Sequence, residues 1–108
     1  MKLKIYDKKK VVKTYTADTY DLMWGVVEDV AKAVKLDELK SGDEMEIFKL
    51  VMGLVMRSMD TVRDLLKDIF DGLTDEELKN ARVKDIAYVL IDVVKYTISE
   101  LRDFNSKN

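Results

Sequence analysis

The side chains here that are able to do acid–base or metal chemistry are carboxylates, lysines, tyrosines and hydroxyls, because the 108 residues include neither histidine nor cysteine. That removes the imidazole and thiolate groups on which most general acid–base, nucleophilic and zinc-binding arrangements rest. The most suggestive remaining pattern is the row Asp60, Asp64, Asp68 and Asp71, spaced by three and four. On a helix such a row shares one face, where carboxylates can gather a divalent cation. Arg57, Arg63 and Lys67 are interleaved with it, so ion pairing on a solvated face accounts for the same pattern and is the preferred reading. Asp75, Glu76 and Glu77 read as first-turn acids favoured by a helix dipole, since no calcium-loop spacing follows them. We therefore expect no catalytic residue, no metal site and no cofactor, and read the chain as a protein that binds other proteins and is not an enzyme.

The candidate binding residues are methionines. Met45, Met52, Met56 and Met59 are four of the six in the chain and lie on or next to one helical face. Flexible, polarisable thioethers adapt to varied partners. Ordinary core filling explains them most simply. On the functional reading they line a groove for an amphipathic helix, with Met52, Val55, Met56 and Met59 as the partner-binding face. Tyr15, Tyr20 and Trp24 suit an interface or a core equally. Lys8, Lys9 and Lys10 read as a solvated turn.

Two short strands open the chain, KLKIY at residues 2–6 and VVKTYT at 11–16, joined by the four-residue connection DKKK. The first alternates polar and apolar residues and the second is rich in β-branched and aromatic ones. A lone hairpin is marginal in water, so it must lie on helices or pair with another chain. Asp18 is placed to cap a helix over residues 18–35 with Met23, Val26, Val27, Val30, Ala31 and Val34 on one face. Ser41 and Glu44 form a capping box for a helix over 42–70, striped by Met45, Phe48, Met52, Val55, Met56, Met59, Val62, Leu66 and Ile69, with Ile47, Val51 and Leu54 on its flank. Unbroken, it would run about 40 Å against a radius of gyration near 13 Å for a chain of this size, so it bends near Gly53 or projects. Gly72 suits the left-handed position after that helix, and Thr74 with Glu77 forms a second capping box, stapled by Leu73 and Leu78, for a short helix over 75–80. A last helix over 83–104 aligns Ile86, Leu90, Val93, Thr97, Leu101 and Phe104, with Val89, Val94 and Ile98 beside them. The expected fold is mainly α (α+β): one domain over residues 1–108, with a short N-terminal β-hairpin (2–16) followed by a bundle of three main helices plus one short helix.

A hydrophobic content of 47% with 37% charged residues suits a folded chain. The net charge of −2 leaves no electrostatic footprint for phosphates, so nucleic acid is not an expected partner. Without cysteine or a signal-peptide pattern, the expected compartment is the cytoplasm. The most apolar run, residues 47–56, is about half the roughly 20 residues that span a bilayer, so no membrane association is expected.

Residues 65–98, LLKDIFDGLTDEELKNARVKDIAYVLIDVVKYTI, resemble the C-terminal part of tail assembly chaperones of long-tailed, siphovirus-type bacteriophages of Gram-positive hosts. The pattern is an apolar helix end, F-x-G-L-T-D-E-E-L, a short link, then V-K-D-I and an apolar helix. Here it is carried by Phe70, Gly72, Leu73, Thr74, Asp75, Glu76, Glu77 and Leu78, then Val83, Lys84, Asp85 and Ile86. Asp71 stands where many relatives carry proline. The resemblance covers about a third of the chain. It implies a non-enzymatic assembly factor in the host cell cytoplasm that binds the tape measure protein, recruits tail tube subunits and forms a homo-oligomer. It also implies a longer frameshifted product, for which the codons of Ser106, Lys107 and Asn108 are the place to look. From the residues alone, a small helical dimerising regulatory or adaptor protein of phage or bacterial origin is the alternative, and a metal-dependent enzyme built on the aspartate row ranks last.

Overall fold

A computed structural model describes residues 1–34 and 43–106, with side chains described through residue 100. β1 (Lys2–Asp7) and β2 (Lys10–Thr16) form an antiparallel hairpin. Asp7 pairs with Lys10, so the loop is two residues and not the expected four, and Lys8 takes a left-handed φ of 59° to close it. The register slips between Ile5 and Tyr6, which leaves Val12 as the extra residue of a β-bulge. Leu3, Ile5 and Tyr15 face inward and are buried. The outer edge of β1 is closed from within the chain: Ile5 bridges to Ala81, and the Tyr6 amide donates to the Asn80 carbonyl at 2.9 Å.

Helices follow, as expected, but their boundaries differ from the sequence reading in two places. Asp18 caps a 3-10 turn, Thr19–Asp21, by accepting from the Tyr20 amide. The first α-helix, α1 (Trp24–Val34), begins only after it and buries Val26, Val27, Val30 and Val34, leaving Met23 outside. The long helix is divided. α2 (Glu44–Arg57) and α3 (Met59–Ile69) meet at Ser58, whose φ of −143° and ψ of 66° are not helical. Gly53 does not bend the chain; it lies within α2, where its carbonyl accepts from Arg57 Nε at 3.2 Å. A straight helix over this length would lift half of its apolar surface off the body. The single non-helical residue instead lets α2 pack on α1 and α5 while α3 packs on α1 and back on α2. The Ser41 half of the expected capping box lies outside the described residues, and the cap of α2 is Asp43, which accepts from the Glu46 amide at 2.8 Å.

The second junction is as expected. Gly72 has φ +86°, and Thr74 and Glu77 make both arms of a capping box for α4 (Asp75–Lys79). Leu73 is buried and Leu78 packs against the core. α5 (Val83–Ser106) buries Val89, Leu90, Val93, Val94, Thr97 and Ile98, and packs against α1, α2, β1 and the 3-10 turn. Thr97 keeps its hydroxyl satisfied there by donating to the Val93 carbonyl at 2.8 Å. The core joins these residues to Val51, Leu54, Leu65, Leu66 and Phe70.

Leu66 is fully enclosed, so Leu66→Ala should lower the unfolding free energy by about 2–5 kcal/mol, whereas Met59→Ala, on the outer surface, should change it by less than about 0.5 kcal/mol. Urea unfolding followed by circular dichroism compares the two.

Candidate partner-binding surface

α2 is apolar around most of its circumference, so the face it buries is a choice between two stripes. It buries Ile47, Val51 and Leu54. These are the residues the sequence reading put on the flank. Of the stripe expected to be the main one, Val62 and Leu66 of α3 are buried and Val55 packs on the core, whereas its other members on α2 turn outward to differing degrees. Met45 is 62% exposed, Phe48 46%, Met56 78% and, across the Ser58 break, Met59 69%. At 3.6 residues per turn, Met45, Met52 and Met56 lie within about 40° of one another, opposite the buried stripe. Core filling therefore does not account for Met45, Met56 and Met59. Of the four candidate residues, Met56 and Met59 are free, while Met52 and Val55 are half-buried and Val55 packs on the core. Met45 and Phe48 extend the same surface by two turns, and their signal was already in the sequence as members of the stripe.

A second exposed group gathers at the start of α1. Tyr20, Met23 and Trp24 are largely in solvent, with the Tyr20 ring edge-on to Tyr96 of α5 at 6.2 Å. Desolvation, followed by the charge of Glu100, raises the Tyr96 phenol above its ordinary value. Tyr15, by contrast, is a core residue. Its ring lies 6.2 Å from Phe70, and its hydroxyl donates to Glu77 Oε1 at 2.5 Å, with the Gly72 carbonyl oxygen 3.2 Å away.

Several of the charged candidates make ties within the fold. Arg63 reaches Asp60 at 3.6 Å within α3, but it also reaches Asp75 at 3.7 Å, and Lys67 meets Asp75 at 2.6 Å. Two of the three cations interleaved with the aspartate row, Arg63 and Lys67, thus tie α3 to α4, and Lys67 chiefly holds the Asp75 carboxyl below its ordinary range. Among the described residues, no group of three or more His, Cys, Asp or Glu side chains is placed to hold a metal ion, and no helix is long and apolar enough to cross a membrane. An open cleft of about 620 Å³ at the α2–α3 corner is lined by charges of both signs, Asp29, Lys32, Arg57 and Asp64 among them.

Glu77 is where the hairpin, the turn and α4 are joined. Besides the Tyr15 hydroxyl, its carboxylate accepts from the Thr74 amide at 3.2 Å and meets Lys13 Nζ at 3.3 Å. Lys13 also lies 4.6 Å from the centre of the Tyr15 ring. This network ties β2 to the turn from which α4 starts.

No protein-family model matches the chain, and no curated protein or solved structure is significantly similar to it.

The Glu77 network makes a testable contribution to pH dependence. The Tyr15 hydroxyl, the Thr74 amide and Lys13 lower the Glu77 carboxyl below its ordinary 4.5. A carboxyl depressed in the folded state stabilises fully above that ordinary value and loses its contribution as pH falls through the depressed one. Glu77→Gln should flatten the acid limb of the stability curve and leave its shape at neutral pH unchanged, as read from urea midpoints across the acid range.

Proposed function

We propose that this chain is a non-enzymatic phage tail assembly chaperone that holds apolar helices of a tape measure protein on the α2–α3 methionine face and helps recruit tail tube subunits. The observation that carries the proposal is that Met45, Phe48, Met56 and Met59 stay outside a core that already contains Ile47, Val51, Leu54, Val62 and Leu66. Unbranched thioethers on an exposed face conform to many apolar helices, which suits a protein that keeps a long and varied sequence soluble. An amphipathic helix lying along the face would cover it in the helix-in-groove mode. The capped junction at Phe70–Leu78, the centre of the resemblance to tail assembly chaperones, supports the choice of partner, because it sets how α3 passes to α5 and so frames the body that carries the face.

A second reading is a small dimerising regulatory or adaptor protein. It is favoured by the exposed Tyr20, Met23 and Trp24 around Tyr96, since aromatic side chains dominate the energetic centres of protein interfaces.

Co-expression with a tape measure protein and a tail tube protein of a long-tailed phage, followed by pull-down, separates the two readings. Capture of the tape measure protein is expected. Met56→Asp combined with Met59→Asp should weaken that capture by about tenfold or more, which is about 1.4 kcal/mol of binding. The melting temperature should hold, because both side chains stand in solvent. Leu54→Asp, on the buried stripe, should unfold the chain. A stable dimer that captures neither tail protein would establish the adaptor reading instead.

A further inference from the structure

We propose that the outer edge of β2 is a second docking site, chemically distinct from the methionine face, which adds an acidic extended segment of a partner protein to the sheet as a further strand. The sheet is asymmetric. The free side of β1 is already occupied by the chain's own link at Asn80 and Ala81. Lys10–Thr16, on the other side, makes no backbone bond beyond its ladder to β1 among the described residues. Every residue of β2 except Tyr15 is exposed, including Val11 and Val12. An edge of this kind offers a row of unpaired amides and carbonyls that accepts an extended peptide, with side-chain chemistry choosing which one.

Charge makes that choice. Residues 1–16 carry six lysines and one aspartate, a net of +5, whereas the rest of the chain has a net charge of −7. Lys13 is engaged by Glu77. Lys2, Lys4, Lys8, Lys9 and Lys10 are exposed and have no ion-pair partner among the described residues. Pairing with the same strand of a second copy would set lysines against lysines, which opposes self-association through this edge. An acidic strand on this edge would lie beside Lys10, with Lys8 and Lys9 at the adjoining turn and Lys2 and Lys4 one strand further in, on β1. Single-stranded nucleic acid is bound on stacking platforms of exposed aromatic rings. The hairpin offers none: the Tyr6 ring is covered by the Arg82 guanidinium at 4.1 Å, and Tyr15 is buried. The bulge at Val12 adds twist and so restricts the edge to a short segment.

The test is a titration of the isotope-labelled full chain with a capped heptapeptide of alternating glutamate and valine, read by amide chemical shifts and hydrogen exchange. The expected result is saturable binding with shifts centred on residues 10–16 and slowed exchange of β2 amides, weakening about tenfold between roughly 50 and 300 mM salt. A peptide of the same charge but N-methylated at alternate positions should not bind, and K9E with K10Q should lower affinity about tenfold while the melting curve is kept. Equal binding of the methylated peptide, shifts centred elsewhere, or no binding at millimolar peptide would each overturn the proposal. So would tighter binding of single-stranded DNA or of phosphatidylserine vesicles through the same lysines, since the patch would then belong to those surfaces. None of these outcomes depends on the methionine face.

Discussion

The rest of the fold hangs on the burial of one face of α5. Val89, Leu90, Val93, Val94, Thr97 and Ile98 form a continuous enclosed stripe, and α1, α2, β1 and the 3-10 turn all pack on it. None of these partners is long enough to be stable alone: α1 spans 11 residues, α2 14, and the hairpin has two strands. Short isolated helices and lone hairpins are marginal in water, so their stability comes from this shared burial. The long final helix organises the domain because it is the one element whose apolar stripe can serve several neighbours at once.

The hairpin is held by two further means that act at its opposite sides. β1 receives the Asn80–Ala81 link as a short extra strand, and β2 sends Tyr15 and Lys13 to Glu77. Both anchors belong to the segment around α4. A five-residue helix with no buried side chain thereby has a role out of proportion to its length. It presents the carboxylate and the backbone that fix where the sheet sits on the helices. The buried end of β2 is tied down by Tyr15, while the opposite end, toward Lys10, stands clear.

What this body leaves uncovered is as ordered as what it buries. The methionine face of α2 and α3, the aromatic group at the start of α1 and the edge of β2 differ in chemistry and lie on different elements. Surface apolar residues scattered singly are unremarkable, but a stripe that keeps helical spacing over several turns is the usual form of a binding face. Some charged side chains tie elements together, such as Lys67 to Asp75 and Lys95 to Glu44.

The sequence by itself determined those features that depend on a few neighbouring residues. The hairpin, the left-handed Gly72, the Thr74–Glu77 capping box and the register of α5 were all legible, because each arises from local sterics, local hydrogen bonds or a single unambiguous apolar stripe. Where two answers were locally equivalent, only tertiary structure decided. α2 has apolar stripes on both sides, and periodicity cannot say which one α5 will cover. Packing selected the compact aliphatic set Ile47, Val51 and Leu54 and left the methionines outside. Likewise no local signal marks Ser58 as a break or separates Asp18 from the start of α1. Those interruptions arise because straight helices would carry apolar surface away from the core, and the chain gives up a few helical bonds to bring it back.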